Sequence, residues 1–407
     1  MWPPLKREHV ITLWSAVTFA ALLTAISALR PVRDALPLDG NPEDIPWLFT
    51  GTFVLSVIAS PIWSRLLANR PKRRVIPIAF HVFAACALAF GYVVHAGIEP
   101  KAMGHVFYVW SSVFNILVVS VFWSLLVDLL GTETAKRLYG PIAAGGTVGS
   151  FLGPLLTKAL VEHIGVEGVV VMSALLLELA VVGVWRVRIA GEALPHAPAD
   201  EPAHADALTG AKHVARSPYL LAIVGYVLCT ATAATFLYLE QASIVKAAFA
   251  DRVARTEFFA TLDLAIAITT FVLQTLLASP LLRWVGPGIV LMVLPIAQGV
   301  GISAVVFAPS ITALFIAQLA SRSATHGLTR PARELLFTVV DREDKYHAKN
   351  LVDLAGYRFG DFAASWVSKG LVAVGGTTAV GIAAGPIVAV WLALAVVLGL
   401  GFRRRTS

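Results

Sequence analysis

The chain has 407 residues, 57% of them hydrophobic and 14% charged, with a net charge of +7. Soluble domains carry about 25% charged residues, so this composition argues against a water-soluble enzyme or a nucleic-acid-binding domain. Cys86 and Cys229 fall within apolar runs and offer neither a disulfide framework nor metal-ligand spacing.

A bilayer crossing takes roughly 20 mostly apolar residues. Twelve spans are predicted, which makes the fold class an all-α integral membrane protein. Span 1 (10–30) follows Lys6 and Arg7 and has no small-residue cleavage site, so it reads as an uncleaved span. It ends in Arg30-Pro31-Val32-Arg33-Asp34. Spans 2 (46–66) and 3 (75–95) flank the basic turn Arg70, Lys72, Arg73, Arg74, and span 4 (104–129) carries Asn115 and Asp128. Lys136 and Arg137 precede span 5 (139–162). There GGTVGSFLGP at 145–154 sets Gly145, Gly149 and Gly153 four residues apart on one helix face, a spacing that admits a neighbouring helix closely. No Lys-Ser or Lys-Thr follows, so this is not a phosphate-binding loop.

Span 6 (168–188) leads into AGEALPHAPADEPAHADALTGAKHVARS at 190–217, which reads as a cytoplasmic linker. Span 7 (219–241) carries Glu240, span 8 (257–281) carries Asp263, and span 9 is 287–307. In span 10 (311–338), a wheel of about 100° per residue puts Gln318, Arg322, His326, Thr329, Arg330 and Arg333 on one stripe. Pro331 is expected to kink it. Span 11 (350–373) gathers Asp353, Tyr357, Arg358, Asp361, Ser365 and Lys369 on one flank, and span 12 is 378–402. One alternative is that these ions pair only with one another, with Arg358 to Asp361 and Arg333 to Glu334 as candidate pairs alongside bridges between helices.

An even number of spans puts both termini on one side. If that side is the cytoplasm, the opposite segments hold only Arg30, Arg33, Lys101, Lys246, Arg252 and Arg255, and most of the other basic residues fall inside. This satisfies the positive-inside rule. SPIWSRLL at 60–67 is echoed by SPLLRWVG at 279–286, and Ala135-Lys136 by Ala348-Lys349. These echoes predict two pseudo-symmetric six-helix bundles, 1–189 and 218–407, of the major facilitator type, joined by 190–217.

An ionised side chain at mid-bilayer costs about 2.5–3.5 kcal/mol on insertion scales and normally faces a bundle interior or a wet cavity. A surplus of Arg suits an anionic ligand, because guanidinium grips phosphate or carboxylate as a fork. The expected substrate-binding set is therefore Arg30, Arg33, Asp34, Asn115, Glu240, Asp263, Arg322, His326, Arg330, Arg358 and Asp361. Lys136, Arg137, Lys345, Lys349 and Asp353 are the expected gate. No hydrolase, metal or cofactor pattern emerges, and a monomer is expected. The leading expectation is a secondary transporter in which two halves rock about a central site, coupled to a proton or a counter-substrate. The alternatives are a proton-coupled exporter of a drug or metabolite, and a non-transporting scaffold or sensor whose buried ions form a static lock.

Three segments carry a family resemblance: RPVRDAL at 30–36, FWSLLVDLLGTETAKRLYG at 122–140 and DKYHAKNLVDLAGYRFGD at 344–361. They resemble motifs of the ATP/ADP translocase family of bacteria and plastids. The resemblance implies a major facilitator fold, nucleotide exchange and a bacterial inner-membrane location. The matching positions are Arg30, Arg33, Asp34, Lys136, Arg137, Lys345, Tyr346, Lys349, Asp353 and Arg358. Where the family's nucleotide exchangers carry Lys after Arg-x-Gly, this sequence has Asp361, an anion for a cation. That departure implies a divergent member with a changed substrate.

Overall fold

A computed structural model describes residues 7–69, 72–98, 100–130, 132–191, 214–341 and 352–406. Nine helices among the described residues are long and apolar enough to cross a membrane. In hydrocarbon every backbone N–H and C=O must find a partner within the protein, and a helix meets that need within one segment.

Two of these helices, Arg137–Val187 and Gly356–Thr406, run 51 residues each. At 1.5 Å per residue either would be about 77 Å long if straight, over twice the ~30 Å hydrocarbon thickness. Both are broken by a left-handed glycine, Gly165 at φ 70° and Gly376 at φ 66°. Only glycine adopts this backbone without a Cβ clash. The first helix folds back on itself: a Cβ on Gly145 would lie 2.2 Å from Ala16 O, and one on Gly183 would lie 2.1 Å from Thr18 Oγ1. Both limbs thus meet the same stretch of span 1. Counting each long helix as two crossings, and adding the helical turns over 311–336, gives the twelve spans expected. Span 1 runs further than expected, Arg7–Ala35, straight through Pro31. Membrane helices tolerate such prolines, so Arg30, Arg33 and Asp34 sit on one continuous helical frame.

The chain divides into two compact units. The first comprises Met1–Asn41, Val54–Pro202 and Phe249–Leu264. Its axis is span 1, sandwiched between spans 5 and 6. Gly149 and Gly153 continue the close approach begun at Gly145: their Cβ atoms would fall 2.4 Å from Ala20 O and 2.6 Å from Ser27 Cβ. Polar stitches complete the layer, with Thr157 Oγ1 donating to Ala28 O (3.2 Å) and Ser173 Oγ to Ala25 O (3.0 Å). Phe19 stacks on Phe122 of span 4 with centroids 4.7 Å apart.

The second unit comprises Pro42–Phe53, Ala203–Ala248 and Ala265–Ser407. Within it span 7 packs on both limbs of the C-terminal helix. A Cβ on Gly360 would meet Ala231 at 2.7 Å, and Tyr226 sits edge-on to Trp391 at 5.6 Å. The start of span 2 runs along span 11 through Phe53 stacked on Phe362 (5.3 Å), Trp366 Nε1 donating to Thr50 Oγ1 (3.0 Å) and Lys369 Nζ donating to Glu43 O (3.2 Å). Most of the expected linker, 192–213, lies outside the described residues.

Candidate functional site

Each unit holds charged side chains that are paired within it. In the first unit, the span 1 frame fixed by the glycine seam carries Arg30, Arg33 and Asp34 side by side. Arg33 Nη2 and Asp34 Oδ1 pair at 2.8 Å, and the Arg33 guanidinium lies 5.4 Å from the Tyr108 ring centroid. Asp34 and Asp263 are buried, while Arg30 and Asn115 are half-buried.

Beyond the end of span 1, the chain turns through Leu36–Asp39 and presents Asp39 to the first turn of span 8. Arg252 grips one oxygen of Asp39 with two nitrogens, Nε at 2.9 Å and Nη2 at 2.6 Å, and Arg255 Nη2 holds the other at 2.9 Å. Arg255 also donates to Ala250 O and Asp251 O. Sequence reasoning did not single out this clasp. Its signal is two arginines three residues apart at a helix start, hence on one face, but their partner lies more than 200 residues away.

In the second unit the geometry of span 10 is set by Pro331. Five residues, Thr325–Thr329, form a π turn, marked by the Arg330 N–H donating to Thr325 O. In that register His326 O would accept from residue 331, but proline has no N–H. Gln274 Nε2 takes the orphaned carbonyl instead, at 2.9 Å. Gln274 itself lies in a second π segment, Leu273–Ala278 of span 8. A third, Val352–Phe359, opens span 11. Such π segments are rare and frequently occur at functional sites.

Each π turn rotates the residues beyond it relative to a 100° wheel. Arg322 and His326, ahead of the shift or within it, are half-buried, whereas Arg330 is exposed and Arg333 only 8% exposed. Arg333 turns away from the candidate partner Glu334, which is exposed. Its Nη1 donates to Tyr357 Oη at 2.8 Å, and the guanidinium carbon stands 5.6 Å from the Tyr357 ring centroid. Asp361 accepts from Thr235 Oγ1 at 3.2 Å, with Arg358 in its neighbourhood. Glu240 is 8% exposed, beside the buried Gln241 of the same helix.

The expected gate residues are less fully described. Arg137 is exposed and reaches Glu8 at 3.2 Å, a surface pair of the kind that contributes little. Lys136 and Asp353 are placed only as helical backbone positions, and Lys345 and Lys349 lie outside the described residues. No group of three or more potential metal-binding side chains forms among the described residues.

The Major Facilitator Superfamily sequence profile matches residues 10–333. The chain belongs to the Major Facilitator Superfamily. Solved members share the fold across almost the whole chain. The nucleoside transporter NupG aligns at 14% identity with a TM-score of 0.62, covering 99% of this chain and 100% of its own. A bacterial homologue of the iron transporter ferroportin, captured in an inward-facing state, aligns at 15% identity and 0.63, covering 100% of both chains. An auto-inhibited peptide transporter of the POT family aligns at 15% and 0.62, covering 97% and 96%. No curated protein matches the sequence. The superfamily and its fold are those of multi-pass membrane transporters for small solutes, which are not enzymes.

Proposed function

We propose that this superfamily member is a secondary active transporter of the bacterial inner membrane, with both termini in the cytoplasm, that moves a small anionic solute by alternating access. The observation that carries the reading is the number of arginines on the long apolar helices whose side chains are withdrawn from the surface. Arg30 and Arg33 lie on span 1, Arg322 and Arg333 on span 10 and Arg358 on span 11, all buried or half-buried. Placing guanidinium in a membrane interior is costly unless it is compensated, and an anionic solute supplies that compensation during binding.

The motif matches at 30–36, 122–140 and 344–361 favour a nucleotide or another phosphorylated or carboxylated metabolite, carried as in ATP/ADP exchange. Asp361, held by Thr235, stands where the exchangers carry Lys and favours a divergent solute. Glu240 and Asp361 are then the carboxylates that balance the cations in the empty state or carry a coupling proton. Proton-coupled export is the second reading, favoured by the burial of Glu240.

Uptake into proteoliposomes of labelled nucleotides, sugar phosphates and organic anions tests the proposal. Arg322→Ala and Arg358→Ala are expected to abolish uptake of the transported anion. Uptake at wild-type rates in both variants would overturn the assignment. Dependence on a pH gradient without any need for internal substrate would favour export, and no transport of any solute would favour a static scaffold.

A further inference from the structure

The second unit contains a small buried cluster that the charged stripes do not account for. Thr329 and Arg333 lie four residues apart on span 10, hence on one face, and both are buried. Tyr357 of span 11 meets Arg333 through its hydroxyl, and Tyr226 of span 7 lies beside Thr329, Arg333 and Tyr357. Trp391 of span 12 closes the side, edge-on to Tyr226.

The hydrogen-bond accounting within this cluster is lopsided. Arg333 Nε, Thr329 Oγ1 and Trp391 Nε1 are each buried without a partner. Thr329 and Trp391 both approach the Tyr226 hydroxyl, the acceptor nearest to them, at less than ideal hydrogen-bond geometry. That hydroxyl donates elsewhere, to Leu291 O at 2.8 Å. The hydrogen bond of Arg333 Nη1 goes to a neutral phenol. Arg333 Nε is therefore left as a buried donor on a cation that is nine-tenths buried, with Thr329 and Trp391 close to the same phenol cluster. Leaving buried donors unpaired is among the costlier defects a fold can carry, and an unpaired buried charge is costlier still. What fits is a small group with several acceptor oxygens and negative charge.

We infer that Thr329, Arg333, Tyr357 and Trp391 form a binding site for the phosphate or carboxylate group of the solute, with Arg333 its principal cation. This rests on the proposed transport of an anion and names the part of the molecule that grips the charged group. Arg333 supplies the fork, Tyr357 holds the guanidinium from one side, and Thr329 and Trp391 offer neutral donors. The π turn at Thr325–Thr329 sets this arrangement, because without it the helical phase carrying Arg333 would differ.

The test is a thermal-stability titration of the purified, full-length protein with inorganic phosphate, nucleoside phosphates and di- and tricarboxylates. The titration is repeated on Arg333→Gln, Arg333→Lys and Tyr357→Phe. The ligand-free melting temperature of each variant reports whether it has folded. Arg333→Gln is expected to weaken binding of the stabilising anion at least about tenfold, the range of one lost charge-assisted hydrogen bond. Arg333→Lys is expected to recover only part of it, and Tyr357→Phe to weaken binding by a smaller factor in a protein that melts near wild type. A response to phosphate alone, with no preference for larger phosphates, identifies the group as free phosphate; a preference for a nucleotide or carboxylate identifies the solute class.

If the wild type is stabilised by an anion and Arg333→Gln and Tyr357→Phe respond as the wild type does, this site is wrong while anion transport stands. If only neutral or cationic solutes stabilise the wild type, or no anion does, the transport reading fails and the site with it. Asp353 precedes Tyr357 by four residues. Should Arg333→Gln destabilise the ligand-free protein and adding Asp353→Asn restore it, Arg333 is a counter-ion to that carboxylate and the inference is overturned.

Discussion

Asp39→Ala removes the one carboxylate that holds both arginines at the start of span 8. Asp39 is 13% exposed, Arg255 6% and Arg252 26% on their side chains, so the group is shielded from water on most sides. Three short charge-assisted contacts converge on the carboxylate. Removing one partner of such a buried ion pair costs about 3–5 kcal/mol, because the remaining charge keeps its desolvation penalty without its partner. Arg255 bears most of that cost, since its Nη1 already lacks a partner in the intact protein. Arg252, the more exposed, can turn toward water. Equilibrium unfolding in mixed micelles is expected to show Asp39→Ala destabilised by about 3 kcal/mol or more. Arg255→Ala should cost more than Arg252→Ala, and Asp39→Ala with Arg255→Ala together should cost less than the sum of the two. Raising salt to about 0.5 M should change the wild-type value little, because screening acts mainly on exposed pairs. A loss under about 0.5 kcal/mol, the scale of an exposed surface pair, would refute the claim that the clasp is a buried structural unit.

Gly149→Ala would put a methyl group 2.4 Å from Ala20 O on the span 1 backbone. No flexible side chain can yield there, so folded yield in membranes should fall sharply, whereas Gly140→Ala, where nothing lies within 4 Å, should be tolerated. Gln274→Leu leaves His326 O without its substitute donor. It is expected to cost about 1 kcal/mol, the net worth of one hydrogen bond. Pairing it with Pro331→Ala, which restores an N–H to the same helix, should recover part of that loss; recovery of none would contradict the register assigned to the π turn.

The membrane fold was legible because the bilayer imposes it. Apolar runs of bilayer length, broken at 162–168 and 373–378, bracket the breaks at Gly165 and Gly376. The Gly145, Gly149, Gly153 spacing announced its close packing in the same way, and span 1 proved to be the neighbour. Two kinds of feature were not legible. One is the partner of a loop charge: nothing in LPLDG points to Arg252 and Arg255, since a salt bridge between distant segments has no local period. The other is helical phase. Pro331 announced a perturbation but not its form, and a wheel at constant pitch cannot say that Arg333 turns inward while Arg330 turns out. Tyr357, placed on the polar flank of span 11, was visible as a polar residue but not as the partner of Arg333.

The central claim is that arginines on the spanning helices hold an anionic solute. The most direct measurement is a melting-temperature screen of the purified protein against nucleotides, sugar phosphates and organic anions at matched ionic strength, with their neutral analogues as controls. A specific ligand present at 100 times its Kd stabilises the folded state by about 2.7 kcal/mol. A saturable rise in melting temperature is expected for at least one phosphate- or carboxylate-bearing solute and none for its uncharged analogue. An equal rise with the uncharged analogue, or stabilisation by cations alone, would contradict it.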